Sequence, residues 1–294
     1  MTIRHLLLMM GALLGALALG GCGARDDGAS ADLPSPAPAI WQVTSPEGQQ
    51  AWLFGTVHSL PDGAQWHSRV VDDAFAGAGT LVVEIANLDD VSASFPVFQR
   101  LAYSPGLPPL YGRVEPGERA LIEDLVERTG ADPDDFAEME SWAAALVLAG
   151  GISSGDPENG VDRALIASGK PVVALEGFEQ QYALFDQLPP AEQSDLLVAT
   201  AREAATNDPA KALESWLTGD MAGLEELART SLLADPELRQ ALLTARNQAW
   251  IDQLLPLVDQ GRKPFVAVGT AHMLGDGGLP AMFAARGYRV ERLQ

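Results

Sequence analysis

The sequence predicts an α/β fold with a central mixed sheet, histidine motifs at strand ends, flanking helices and a helical cap or insertion. Short apolar runs typical of buried strands alternate with stretches of helical periodicity. The chain has 294 residues, of which 47% are hydrophobic, and this is ample material for a sizeable core. Two of the strand candidates end in the same pattern, G-T-x-H-x-L-x-D-G.

The N-terminus predicts a lipoprotein signal peptide over residues 1–21. Arg4 supplies a positive charge, and residues 6–19 form an apolar segment too short to span a bilayer comfortably. The segment ends in Leu-Gly-Gly-Cys, which resembles a bacterial lipobox and makes Cys22, the only cysteine, the expected lipidation site. The alternative is an ordinary signal peptide with an incidental cysteine. Gly23 stands where an aspartate would suggest retention in the inner membrane, so the lipobox resemblance implies sorting to the outer membrane, with the protein facing the periplasm.

Composition separates a tether from a folded domain. Residues 22–39 are rich in Ala, Asp, Ser and Pro and are expected to be a flexible tether, so the folded domain should occupy residues 40–294.

The formal net charge of -21 repels phosphate backbones, which makes nucleic acid an unexpected partner. The expected contacts are the membrane, through the lipid on Cys22, and a peptide or small extracytoplasmic substrate. The sequence sets no expectation of oligomeric state.

The elements of the domain follow from periodicity and turn signals. A hairpin of 40–43 and 51–54 leads into the first histidine motif, because Ser-Pro-Glu-Gly between them is a turn signal. Buried strands are expected over 80–85 and 264–269, and a further strand is expected over 171–176. Helices are expected over 70–78, 116–129, 133–149, 161–168, 177–188, onward with breaks to 261, and 279–286. Residues 288–293 alternate polar and apolar as an edge strand does. The block of about 190–235 is predicted to be the helical cap or insertion.

The repeated motif places one histidine after each of two strands. His58 and His272 each stand three residues after the glycine that ends an apolar run. Two identical frames so far apart in the chain indicate two neighbouring strands that direct imidazoles into one pocket. The alternative is a pair of similar turns whose histidines only bind backbone. Imidazole is a common metal ligand and the usual acid or base near neutral pH.

Glu84 stands inside an apolar strand candidate, Leu-Val-Val-Glu-Ile. A buried carboxylate costs several kcal/mol unless it is paired, protonated or bound to metal. A half-exposed strand would remove that cost, but the neighbouring residues do not alternate. Glu84 is therefore a candidate site residue.

These residues together resemble the TraB/GumN family. The resemblance rests on the twin Gly-Thr-x-His frames, the strand with Glu84, Gly160-Val161-Asp162, Leu175-Glu176 and Gln180, Arg246-Asn247 and Gly287-Tyr288, and it covers nearly all of 40–293. The chain is similar also to the Tiki metalloproteases and, more remotely, to the ChaN and erythromycin-esterase group. Gly177 follows Glu176 where the family pattern has threonine, which leaves the role of Glu176 open.

The resemblance implies a metal-dependent, peptidase-like site that uses His58, Glu84 and His272, with Arg246 nearby. Two neutral imidazoles and a carboxylate can hold a divalent ion, and such an ion lowers the pKa of bound water from 15.7 to about 7. Mn, Co and Zn all suit nitrogen and oxygen ligands. Glu84 could be a ligand or the general base. Arg246 could bind a substrate carboxylate or an oxyanion, although composition alone does not single it out.

Two other functions fit the same residues. The first is a metal-independent ester or amide hydrolase in which His58 is the general base and Arg246 steadies the oxyanion. The second is a non-catalytic lipoprotein that binds haem, a metal ion or another extracytoplasmic ligand in the same pocket.

Overall fold

A six-stranded mixed sheet forms the centre of the fold in a computed structural model that describes residues 33–153, 155–206 and 208–294. The predicted α/β class is confirmed. The predicted signal peptide, Cys22 and most of the predicted tether lie outside the described residues. Within the described part of the chain, no helix has both the length and the apolar character needed to cross a membrane.

The strands and helices are numbered in chain order. The strands are β1 (Ile40–Thr44), β2 (Gln50–Thr56), β3 (Thr80–Val83), β4 (Val172–Ala174), β5 (Pro264–Gly269) and β6 (Arg289–Arg292). The helices are α1 (Arg69–Gly77), α2 (Val91–Leu101), α3 (Arg119–Thr129), α4 (Ser141–Ile152), α5 (Val161–Ile166), α6 (Phe178–Asp186), α7 (Pro190–Thr206), α8 (Pro209–Leu217), α9 (Met221–Thr230), α10 (Pro236–Arg239), α11 (Ala245–Asp259) and α12 (Leu279–Ala285). Helix α2 had no counterpart in the sequence prediction, and its interior Pro96 weakens the helical signal.

Strand order places the two histidine motifs side by side. The order is β4-β3-β5-β2-β1-β6, with β2, β5, β3 and β4 parallel and the β1 pairs antiparallel. Thr56 pairs with Gly269, and Val83 pairs with Ala267. The carboxyl ends of β2, β5 and β3 therefore meet at one edge, as the twin motifs predicted, and Glu84 stands just past the end of β3.

Both faces of the sheet are covered, which explains why the central strands are apolar throughout. One face packs against α1, α5 and α8 through residues such as Phe54, Phe265 and Trp216. The opposite face packs against α11 and α12 through Leu53 and Val266, among others. Alternate residues of β2, β3 and β5 thus pack into two separate cores.

A third core lies among the helices. It joins α2, α3, α4, α6 and α7 around Trp142, Phe98 and Phe185. The block of about 190–235 divides between two of these cores: α7 packs in the helical core, whereas Trp216 of α8 packs on the sheet. The helical layer is thus larger than the predicted insertion and includes residues from 98 onward.

The two motifs touch directly where β2 and β5 end. The Thr270 hydroxyl donates to the carbonyl of Thr56 at 2.9 Å, and the Trp216 indole donates to the carbonyl of Gly55 at 2.9 Å. A Cβ added at Gly55 would lie 3.0 Å from the Cα of Thr270. Gly55 is therefore required by the close approach of the two turns.

Candidate functional site

Arg246 is the centre of a buried polar cluster at the strand ends. Its side chain is 2% exposed, and it extends from the start of α11, just after a π-helical turn over Gln240–Thr244. Nε and Nη2 donate to the two oxygens of Glu176 at 3.0 and 2.9 Å. Nη2 also donates to Glu84 at 2.6 Å, and Nη1 donates to the carbonyl of Leu242 at 3.1 Å and to His272 Nε2 at 3.1 Å. All five N–H groups of the guanidinium thus have acceptors.

His272 is fully buried and its tautomer follows from its partners. Because Arg246 can only donate, Nε2 of His272 is the acceptor and the ring proton sits on Nδ1. Nδ1 donates to Asn247 Oδ1 at 2.6 Å. The amide of Asn247 is oriented by two carbonyls, those of Gly277 at 2.8 Å and His272 at 3.3 Å, which accept from its Nδ2. His272 is thereby a neutral acceptor that positions the guanidinium.

Glu84 is ionised in its buried position. Burial by itself raises the pKa of its carboxyl, but the Arg246 guanidinium and the amide of Gly269, which donates at 2.8 Å, favour the charged form. The pKa of Glu84 is lowered from 4.5 to about 2. The carboxylate expected from the apolar strand is thus paired with Arg246.

His58 forms a dyad with Asp162. Its Nδ1 lies 2.9 Å from Asp162 Oδ2, and both side chains are nearly buried. Burial lowers the pKa of His58, but the charge and hydrogen bond of Asp162 outweigh it and raise the pKa to about 9. The start of α5 brings the two residues together: Val161 donates to the carbonyl of Val57 at 3.0 Å, and a Cβ at Gly160 would lie 2.5 Å from the carbonyl oxygen of His58. Gly160 is thus needed for this approach.

A small cavity lies in front of the dyad. It measures about 10 Å³, and its lining includes Thr56, His58, Glu84, Asp162 and Gln181. Such a volume is close to that needed by one water molecule. His58 Nε2 is buried here and has no hydrogen-bond partner among the described residues.

Two larger grooves of about 560 and 460 Å³ lie elsewhere, along helices of the helical layer and behind the second motif. Of the described residues that carry a buried, unpartnered side-chain atom, none lines either groove. The small cavity is the candidate reaction site, although it is smaller than either groove, because residues with buried, unpartnered side-chain atoms line it.

The structure brings the predicted site residues into one cluster, with different roles for the two histidines. Glu84, Arg246 and His272 are joined by direct hydrogen bonds, whereas His58 faces the cavity that Glu84 also lines. Asp162 and Glu176 were part of the family resemblance but were given no role. The sequence signal for a functional role was weak at both positions, since Asp162 stands at the start of a helix and Glu176 follows a short strand. The structure shows that Glu176 holds Arg246 and also accepts from the indole of Trp250 at 2.8 Å.

The three metal ligands implied by the resemblance fit only in part. His58 fits because Nε2 is unpartnered among the described residues and Nδ1 is oriented by a carboxylate, as in many metal-bound histidines. His272 and Glu84 do not fit in this arrangement because both bind Arg246. Within the described ranges, the one group of three or more acids or histidines whose donor atoms all lie within 4.8 Å of each other is Glu192, Asp235 and Glu237, on the helical layer.

Comparison with known proteins gives one family and two relatives. The model of the TraB/PrgY/gumN family matches residues 39–292. Uncharacterized protein YbaP of Shigella flexneri and that of Escherichia coli K12 are each 30% identical over 259 residues, which cover 83% of this chain and 91% of theirs. No solved structure matches the chain. The family resemblance predicted from the motifs is confirmed.

Replacing Arg246 should destabilise the fold strongly. Arg246→Met leaves the buried carboxylates of Glu84 and Glu176 without their cation, and breaking such a pair costs about 3–5 kcal/mol. Urea unfolding measures the loss. The matched control is Arg229→Ala, whose pair with Glu226 is more than 60% exposed and should cost at most about 1 kcal/mol. Equal losses in the two variants would contradict the central role of Arg246.

Stability should fall at alkaline pH through His58. The pKa of His58 is about 9 in the fold and 6.5 ordinarily, so its contribution is complete below pH 6.5 and is lost as the pH rises through 9. The shift corresponds to about 3 kcal/mol. The free energy of unfolding, measured between pH 6.5 and 9.5, should fall by about this amount more in the wild type than in His58→Gln. Parallel curves would show that the dyad does not hold an imidazolium.

Proposed function

Because the chain belongs to the TraB/PrgY/gumN family, we propose that the buried cluster at its strand ends is a hydrolase site for amide or ester bonds. One observation carries the proposal: His58, which lines the cavity, is oriented by Asp162 through Nδ1, while its Nε2 is buried and unpartnered among the described residues. An imidazole held by a carboxylate on one nitrogen and free on the other is the arrangement of a general base.

His58 takes a proton from water at Nε2 in this mechanism. The water oxygen forms a bond to the carbonyl carbon, and the electron pair of the C=O bond moves to its oxygen. Asp162 stabilises the imidazolium by its charge and its hydrogen bond to Nδ1. When the tetrahedral intermediate collapses, the C–N or C–O bond breaks and Nε2 returns the proton to the leaving amine or alcohol. His58 ends the cycle neutral, as it began.

Arg246 acts through its charge in this proposal. Its N–H groups bind Glu84, Glu176, Leu242 and His272, so an oxyanion would have to replace one of these acceptors. The fixed guanidinium instead keeps Glu84 ionised at the cavity wall. Ions and dipoles held in place before reaction are the usual large electrostatic term in catalysis.

Metal-dependent hydrolysis is the second candidate, supported by the unpartnered Nε2 of His58 beside the Glu84 carboxylate. His58 would hold the ion through Nε2, and Glu84 and His272 would join it only if Arg246 moved away. A bound Mn, Co or Zn ion would supply an acidified water. If the tests below detect no turnover, the remaining candidate is a non-catalytic lipoprotein that binds haem, metal or another ligand.

Removing the base should lower turnover strongly. His58→Ala should lower kcat on a cleavable peptide or ester by about 10²–10⁴-fold, and Asp162→Asn should act in the same direction. The chain offers a matched control in His67, which contacts Asp72 at 2.7 Å but is 58% exposed. His67→Ala should keep wild-type kcat.

Assays of metal-stripped protein, before and after addition of Mn, Co or Zn, separate the two candidate mechanisms. Equal activity in the stripped and restored samples supports the His58 base, and activity only after metal addition supports the metal.

We also propose that the protein is a lipid-anchored protein of the cell envelope, on the outer membrane and facing the periplasm. The support is the leader, the lipobox-like residues and Cys22 as the only cysteine. Mass spectrometry of the mature protein should find an acylated Cys22 at the N-terminus, and Cys22→Ala should yield protein without lipid. A mature start elsewhere with no lipid would reject the anchor and leave the site proposal unaffected.

A further inference from the structure

Two equivalent threonines of the twin motifs have different surroundings. The Thr270 hydroxyl donates to the carbonyl of Thr56 and ties the turns together. The Thr56 hydroxyl is buried and has no hydrogen-bond partner among the described residues. Thr56 lines the cavity together with His58. The first motif therefore contributes to the lining of one small cavity two residues that each carry a buried polar atom without a partner among the described residues, Thr56 with Oγ1 and His58 with Nε2.

Buried polar atoms in native proteins are nearly always hydrogen-bonded, since an unmet donor or acceptor keeps its full desolvation cost. The cavity of about 10 Å³ suits one water molecule. A buried water usually binds about three polar groups. Glu84 and Gln181, which are both buried, supply further polar groups on the walls of the same cavity.

We propose that Thr56 Oγ1 and His58 Nε2 together hold the nucleophilic water, so that Thr56 is a further catalytic residue. This inference rests on the proposed hydrolase function. A hydroxyl can both donate and accept, so Thr56 can donate to the water oxygen and orient its lone pairs while His58 removes the proton. Thr56 keeps its own proton and is unchanged after each turnover. The threonine of the second motif cannot act in this way because its hydroxyl is used by the backbone.

Valine and serine at position 56 test the role of the hydroxyl. Thr56→Val keeps the shape and removes the oxygen, and should lower kcat about tenfold, the effect of one hydrogen bond, with KM unchanged. Thr56→Ser restores the oxygen and should recover most of the rate. Thr200→Val is the control, because that buried hydroxyl donates to the carbonyl of Leu196 in α7, away from the cavity lining, and it should retain wild-type kcat. Wild-type kcat in Thr56→Val, or no recovery in Thr56→Ser, would overturn the proposal.

Crystallography tests the water site independently of turnover. In wild-type crystals, a density peak of a single water should lie about 2.6–3.2 Å from both Thr56 Oγ1 and His58 Nε2, and Thr56→Val should lose it. Absence of the peak from the wild type, or an ion at about 2.0–2.2 Å from His58 Nε2, would overturn the inference even if hydrolysis were established. A bound water lost in Thr56→Val, in a protein that cleaves no substrate, would support the water site and reject the hydrolase.

Discussion

The polar cluster depends on one buried guanidinium between two carboxylates. Arg246 binds Glu84 at 2.6 Å and Glu176 at 2.9 Å, and all three side chains are less than a tenth exposed. Removing these ions from water is expensive, and the geometry offsets that cost with paired hydrogen bonds to Glu176 and a contact of 4.5 Å between the guanidinium and the Trp250 ring. A buried ion cluster of this kind does not by itself make the fold more stable than apolar side chains would. It does fix the positions of Arg246, Glu84 and Glu176, because none of the three can move away without leaving a buried charge unpaired.

The twin motifs share a sequence pattern but differ in backbone conformation and in hydrogen bonding. The second motif forms a 3-10 helix over Thr270–Met273, whereas in the first motif β2 runs to Thr56 and Leu60 forms an isolated bridge with Asp156. In the second motif, His272 hydrogen-bonds to Arg246 and Asn247, and the Thr270 hydroxyl donates to the carbonyl of Thr56. In the first motif, His58 Nε2 and Thr56 Oγ1 are unpartnered among the described residues and meet a cavity. The shared sequence pattern therefore brings both motifs to one edge of the sheet, and the neighbouring elements decide which of their polar atoms have partners.

Two of the ionisable residues that line the cavity, Glu84 and His58, have pKa values that their surroundings shift in opposite directions. Arg246 holds the pKa of Glu84 at about 2, and Asp162 holds that of His58 at about 9. A base with a pKa of about 9 is mostly protonated at neutral pH, so the proposed hydrolysis should draw on the minor neutral form unless substrate binding shifts the equilibrium. The dyad is therefore better suited to mildly alkaline conditions or to a substrate whose charge lowers the pKa of His58.

The sequence by itself determined the α/β class, the hairpin that leads to His58, the adjacency of the motif strands and the burial of Glu84. These features follow from apolar runs, turn residues and a repeated pattern, which are local properties of the chain. Only the tertiary structure decided the hydrogen-bond partners: Asp162 is 104 residues from His58, Glu176 is 70 from Arg246, and the amide of Gly269 is 185 from Glu84. Periodicity shows that a polar group is buried, but its partner comes from whichever element packs against it, and that partner decides which imidazole is free.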